Sequence, residues 1–324
     1  MGVVFTYPMI ETAQGTEIRF KQPDFAYRKA EGISQSELKE VLRSPAHWMA
    51  RYGPDASPTF PSIAMIIGTA LHCKLLEPEI FDSQFVDRSS LDKELNVSEL
   101  KAALDDEGIE YKKSAKKPEL EALLYPDGKP VDKRTSLSGD DFAIVQGMAE
   151  ATRAHPIAGN WFDPGRKNFR RGNELSMYVE ASADTYGLPI KGRLDRLEKT
   201  ENGWMILDLK TTDDASPSTF QKKAYTMGYH IQAAFYTDLA AKVLQDDNVE
   251  FMFCAMERRR PHGIALYKAG EDMIELGRKQ YKQALRTLAY CKANESFPGY
   301  DAEIQELSLP GWAKSYQPVD LPLF

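Results

Sequence analysis

The sequence predicts an α/β fold in which helices flank a central mixed β-sheet. Three strand-like runs follow one another between about residues 174 and 210, two more lie at about 249–257 and 263–268, and apolar residues recur at helical spacing around them. The turn-like Glu201-Asn202-Gly203 favours a hairpin between the second and third runs.

Taken in order, residues 1–30 read as an irregular leader. Ser34-Gln35-Ser36-Glu37 matches a capping box and starts a helix carrying Leu38, Val41 and Leu42. Pro54, Pro58 and Pro61 interrupt the chain, and Gly68-Thr69-Ala70-Leu71-His72 opens an apolar helix with Leu71, Leu75 and Leu76 on its buried side. After Asp87 the composition changes. Leu100 and Leu104 share one helical face, and Leu120, Leu123 and Leu124 lie on a second helix with Pro118 near its start. Residues 94–125 are thus expected to form a two-helix module inserted into a core of 31–93 and 126–296. Such a module either packs on the core or touches nucleic acid, and Lys112, Lys113, Lys116 and Lys117 tilt the reading toward the second. From Leu137 a helix runs to about Ala154. Ile231, Phe235, Leu239 and Val243 mark another within Gly228 to Val243, and a long one spans about 271–293. The tail, 297–324, is rich in proline and apolar residues, including Trp312 and Phe324, and is expected to pack on a neighbouring subunit or recruit a partner.

The chemistry concentrates between Leu188 and Lys210. In the buried run Trp204 to Lys210, alternation puts Asp208 and Lys210 on one face and Leu207 and Leu209 on the other. The preceding run carries Lys191, Arg193 and Asp195 on one parity, so a hairpin lets Asp195 and Asp208 converge on one cation. A D-x-K triplet is common on solvated strand faces, but the flanks Trp204 to Leu207 argue for burial, where an unpaired carboxylate is costly. Hard cations such as Mg²⁺ take oxygen ligands and are held by one or two carboxylates plus substrate phosphate. Lys210 would then stabilise developing negative charge. Gln232 and Tyr236, four apart, share a helix face and can point into the same site, and His72 can supply a neutral imidazole. His47, His155, His230 and His262 show no ligand spacing, with His230 expected nearest the site.

The order G-x-x-x-H, an upstream Glu, G-x-x-D, D-x-K and Q-x-x-x-Y resembles the RecB-type nucleases of the restriction-endonuclease-like PD-(D/E)xK superfamily. With Ile33 to Leu38, Ser44-Pro45-Ala46-His47, GTALHCKLLEP, GRLDRL, DLKTT and YHIQAAFY, the chain is similar over about residues 30–300 to the exodeoxyribonuclease VIII (RecE) nuclease family. The 94–125 segment resembles helix–extended loop–helix modules related to SAP domains. The resemblance implies a restriction-endonuclease-like core, Asp195, Asp208, His72 and the Leu209 carbonyl as metal ligands, Lys210 as the catalytic lysine, and Gln232 and Tyr236 lining the site. It implies an upstream acid at Glu174 or Glu180, with Glu174 favoured at the start of its strand. It also implies Mg²⁺, with Mn²⁺ able to substitute, and 5′ to 3′ digestion of linear duplex DNA for a single-strand annealing partner. A ring of three or four subunits in a bacterial host cytoplasm would complete the picture. A structure-specific endonuclease or single-strand exonuclease on the same site is the nearest alternative. A non-catalytic DNA-binding recombination or anti-host factor is disfavoured by intact Asp195, Asp208 and Lys210.

Composition bounds these readings. At 324 residues, 42% hydrophobic and 27% charged, the chain is of soluble globular type, and no stretch approaches the roughly 20 apolar residues that cross a bilayer. Met1 to Phe20 lacks a basic start and a long apolar run, so no signal peptide is expected. Cys73, Cys254 and Cys291 are scattered and odd in number, which excludes a Cys-rich zinc or iron–sulfur site and suggests a reducing compartment. A net charge of −7 counts against indiscriminate wrapping of nucleic acid. Local basic groups remain as expected DNA contacts: Arg166, Lys167, Arg170 and Arg171, then Arg193, and Lys222 and Lys223.

Overall fold

A computed structural model describes residues 12–58, 60–91, 95–126, 132–163 and 171–309. In chain order it contains β1 (Thr16–Arg19), α1 (Asp24–Lys29), α2 (Gln35–Arg43), α3 (Pro45–Tyr52), α4 (Ile63–Leu76), α5 (Pro78–Gln84), β2 (Phe85–Asp87), α6 (Val97–Asp106), α7 (Lys117–Leu124), β3 (Thr135–Leu137), α8 (Gly139–Ala154) and α9 (Ala158–Phe162). There follow β4 (Arg171–Val179), β5 (Ile190–Thr200), β6 (Gly203–Thr212), α10 (Pro217–Thr226), α11 (Tyr229–Leu244), β7 (Val249–Glu257), β8 (Ile264–Lys268) and α12 (Glu271–Ala293).

Six strands build the sheet in the order β1-β4-β5-β6-β7-β8. The short turns before β6 and β8 give antiparallel neighbours, whereas β6 and β7 are parallel because α10 and α11 carry the chain back across the sheet. The sheet is therefore mixed. The β5–β6 turn closes at Thr200 and Gly203, and Gly203 is required there: its φ is 132° and a β-carbon would stand 2.3 Å from the Asn248 carbonyl.

Helices cover both faces. Phe235, Leu239 and Val243 of α11 pack with Leu194, Ile206 and Phe251 of the sheet, while Leu71 and Leu75 of α4 meet Met148 of α8, Leu207 and Leu209 on the other. Each such fully buried side chain contributes about 1.5–3 kcal/mol relative to exposure. Helix α11 is apolar almost all round because it lies between the sheet and α12, whose Ala284, Leu285 and Leu288 join the same cluster. Gly192 of β5 lets α11 approach: a β-carbon there would fall 2.5 Å from Leu239 Cδ2 and 3.0 Å from the Tyr236 ring.

Two expectations need correction, and a third feature was not expected. The leader is not irregular throughout, since β1 pairs antiparallel with β4 at the sheet edge and α1 follows. A four-residue strand and a six-residue helix are too short to leave a periodic pattern. Buried Lys191 holds α1 from outside, donating to the carbonyls of Tyr27, Arg28 and Ala30 at 3.1, 3.4 and 2.5 Å. Second, Gly68 to His72 do not open their helix. Ser62 caps α4 by accepting the Met65 N–H, so His72 lies three turns in, deep enough to reach the sheet. Third, β2 and β3 form an unforeseen two-stranded parallel ribbon. It brings together the chain entering and leaving the 95–126 segment, where Leu100, Leu104, Ala115 and Leu120 form a small cluster of their own. In the tail, Phe297 stacks on Trp48 and Tyr300 meets His47, whereas Trp312 and Phe324 lie outside the described residues. No described helix is long and apolar enough to cross a membrane.

Candidate metal centre

The sheet opens where the acidic residues cluster. The β5–β6 ladder runs from Thr200–Gly203 to Arg196–Leu207 and stops, and the β4–β5 ladder pairs Asn173 with Arg196 and Leu175 with Leu194 while skipping Glu174 and Asp195. Glu174 has a left-handed φ of 49°, a conformation that costs a non-glycine residue about 1–3 kcal/mol. That kink places Glu174 beside Asp195. Donor atoms of His72, Glu174 and Asp195 all lie within 4.8 Å of one another. Of the two upstream acids, Glu174 is thus the one at the cluster. Glu180 lies beyond the end of β4, against Gly15.

Two side chains take over at Leu209 from the missing β5 ladder. The Leu209 N–H donates to Asp195 Oδ2 at 2.7 Å, and the Leu209 carbonyl lies 3.1 Å from His72 Nε2. The resemblance assigned that carbonyl to a metal; here it also fixes the imidazole. A carbonyl only accepts, so Nε2 carries the proton and Nδ1 turns its lone pair toward Asp195 Oδ2, 3.6 Å away. Burial holds the His72 pKa below its ordinary value, which keeps the ring neutral.

Asp208 is buried on β6, its Oδ1 accepting from Gln232 Nε2 at 2.7 Å and its Oδ2 lying 2.5 Å from Lys210 Nζ. Lys210 sits over the Tyr229 ring at 4.7 Å. Burial alone would lower its pKa, but Asp208 and Asp195 more than offset this and raise it above the lysine range, so Lys210 is an ammonium. Burial, then the charge of Asp195, pushes Glu174 up to about 7 against the pull of Arg193. Burial, then Asp208, pushes Asp195 up to about 7. Tyr236 is buried over Gly192 with its hydroxyl at the Arg193 backbone, and burial raises its pKa well above the phenol range.

The donor set fits a hard divalent cation. Two carboxylates held protonatable near neutrality by burial and then by a neighbouring carboxylate, Asp195 for Glu174 and Asp208 for Asp195, and an imidazole lone pair facing a carboxylate, are all relieved by a positive ion between them.

The basic residues are less gathered. Arg193 lies against the centre and not on an open surface, its Nε bonding Glu174 Oε2 at 2.6 Å. Lys223 donates to the Thr211 carbonyl and Thr212 Oγ1, both at 3.1 Å, just beyond Lys210, and Lys222 is exposed beside it. Lys112, Lys113 and Lys116 are exposed on the 95–126 segment, while Lys117 pairs with Glu121. Arg166, Lys167 and Arg170 lie outside the described residues, as does the Arg171 side chain. His230 stacks on Tyr225 and bonds Gln280, and is not among the clustered donors. Arg193 as the partner of Glu174 and Tyr229 beneath Lys210 went unread, because both depend on contacts between distant elements. The adjacency of Tyr229 to the Q-x-x-x-Y stretch was the available signal for the second.

Residues 34–308 match the family model of a PDDEXK-like domain of unknown function (DUF3799). No curated protein matches the chain. Among solved structures, a candidate exonuclease of Eubacterium rectale is similar in fold, with a TM-score of 0.52 at 11% identity over 94% of this chain and 97% of that one. Protein VC1899 of Vibrio cholerae is 12% identical over 85% of this chain and 60% of its own, with a TM-score of 0.20, too low to indicate a shared fold.

Proposed function

The chain belongs to the PDDEXK-like family, and from that premise we propose that it is a Mg²⁺-dependent exodeoxyribonuclease acting on linear duplex DNA, 5′ to 3′, to expose single strands for phage-type homologous recombination. The observation that carries the reading is the convergence of His72, Glu174 and Asp195 beside the Asp208–Lys210 pair at the opened end of the sheet. The exonuclease description of the Eubacterium rectale protein supports the choice of an end-dependent activity.

His72, Asp195 and Asp208 would hold the ion, with Glu174 beside them. Bound there, Mg²⁺, or Mn²⁺ in its place, supplies Lewis-acid polarisation of the phosphoryl oxygen and a more acidic water. The protein's own groups do the rest. Gln232 fixes the Asp208 carboxylate through Oδ1, and Arg193 fixes Glu174. The Leu209 carbonyl keeps the His72 Nδ1 lone pair turned inward. Lys210, protonated and half-buried at the centre, stabilises charge that develops on the phosphate as the pentavalent state forms.

The decisive experiment incubates end-labelled linear duplex and closed circular DNA with and without Mg²⁺. Release of label from one end with circles left intact is the expected result; rapid cutting of circles favours the endonuclease alternative. A processive exonuclease must stay on its track, so the same proposal includes a closed homo-oligomer of three or four subunits handing product to a single-strand annealing protein. Light scattering that finds a monomer throughout the micromolar range would remove that assembly.

A further inference from the structure

Lys39 of α2 enters none of the motifs, yet its side chain ends beside the centre. Its stem lies on Gly228, where a β-carbon would come 2.7 Å from Lys39 Cδ, so the glycine that begins α11 leaves a trough for it. The Lys39 Nζ is 3.4 Å from the carbonyl of Met227 at the end of α10. The residue after Gly228 is Tyr229, which lies under Lys210, and one turn further Gln232 holds Asp208. The α10–α11 corner thus brings Lys39 next to the catalytic pair. Burial, then Lys210, lowers its pKa to about 8. Lys223, one turn before Met227 on α10, is fixed to Thr211 and Thr212 at the end of the Lys210 strand.

Neither Lys39 nor Lys223 has a carboxylate at ion-pair distance among the described residues; their polar contacts are carbonyl and hydroxyl oxygens. Asp208 and Glu40 act on Lys39, and Asp213 on Lys223, only from beyond ion-pair distance, and burial still lowers both pKa values; a partly desolvated ammonium without a direct ion pair is unfavourable, and a bound anion removes the penalty. We propose that Lys39 receives a backbone phosphate of the DNA strand adjacent to the scissile one, so that Lys39, Lys210 and Lys223 lie along the strand's path. The proposal rests on the nuclease reading and adds a residue and a direction to it. Lys39 contacts phosphate, not base, so its contribution is independent of sequence.

The test compares the full-length wild type with Lys39→Met, which keeps the stem that fills the trough, Lys39→Gln as a second neutral variant, and Lys39→Arg. Binding of a fluorescein-labelled linear duplex is followed by anisotropy over a KCl series with Ca²⁺ replacing Mg²⁺, and cleavage is followed separately in Mg²⁺. Neutralising one duplex phosphate fewer is expected to reduce the slope of log Kobs against log salt by about 0.9 and to weaken binding about tenfold near 0.1 M salt, with Arg restoring both. An unchanged slope in the neutral variants overturns the proposal, as does failure of Arg to rescue, because a packing role would not restore charge dependence. A wild type that binds but does not cut sinks the nuclease reading while the slopes still judge Lys39. A wild type that does not bind DNA sinks both.

Discussion

The backbone of Leu209 couples His72 to Asp195: its carbonyl receives the imidazole Nε2–H at 3.1 Å and its N–H goes to the Asp195 carboxylate at 2.7 Å. In a strand, both polar groups of one residue point to the same neighbour, so these two side chains satisfy the hydrogen bonds that β5 would have made had the ladder continued. Opening the sheet and building the centre are therefore one event. The fork needs His72 and Asp195 to stay satisfied, and the fork in turn aims them at each other.

Asp208→Ala is expected to abolish Mg²⁺-dependent cleavage. It also leaves the Lys210 ammonium without its partner at 2.5 Å, and breaking a buried pair from one side costs about 3 kcal/mol. Asp208→Asn, which keeps an acceptor for Gln232, should be equally inactive but lose less in urea denaturation. Lys210→Ala should lose rate more than metal affinity. Wild-type turnover in any of these variants, or in EDTA, would remove the mechanism.

Metal dependence and pH are linked through Glu174 and Asp195, both pushed up to about 7 when no cation is present. A carboxyl group whose folded pKa lies above its unfolded value of about 4 favours the fold below pH 4, and that contribution is lost as pH rises through 7. The metal-free protein should thus lose stability across this window, and Mg²⁺, which needs the ionised forms, should restore it. Calorimetry is expected to show a Tm increment from Mg²⁺ that is small at pH 5.5 and large at pH 8. An increment of equal size at both would contradict the assignment.

Gly192→Ala tests the approach of α11 to the sheet. The added carbon would stand 2.5 Å from Leu239 Cδ2 and 3.0 Å from the Tyr236 ring, and overpacking of this kind costs about 1–3 kcal/mol. Since α11 carries Gln232, activity should fall alongside stability. An unfolding midpoint matching the wild type would show that the helix can shift freely.

Much of this architecture was legible because it is written in runs long enough to have a period. The capping box Ser34–Glu37, the apolar run Trp204 to Lys210 and the helix ending near Ala293 all lie where their patterns put them. Asp208 and Lys210 share a strand face as alternation requires, and their contact follows. The rest depended on distance in sequence. Strand β1 is recognisable only by its pairing with β4, and the ribbon of β2 and β3 joins two three-residue pieces 50 residues apart in numbering, Phe85 with Thr135. The kink at Glu174 and the break beside Asp195 are departures from the regular strand, so no alternation pattern could signal them.

The parallel ribbon makes it testable whether the 95–126 segment is an insertion. Phe85–Asp87 and Thr135–Leu137 run side by side, so the chain leaves the core and returns to it at neighbouring points, and the excursion between them packs its leucines mainly on one another. Deleting Glu94 to Tyr125 and closing the gap with a short Gly/Ser linker costs little loop entropy, which varies only slowly with loop length. The shortened protein is expected to be soluble, to keep the thermal transition of the core and to cleave DNA. If Lys112, Lys113 and Lys116 bind phosphates, duplex affinity should drop and the salt slope should fall by about 0.9 for each phosphate that is no longer neutralised. A shortened chain that cleaves and binds like the wild type would make the segment a spacer. An insoluble one would show that its two helices complete the core.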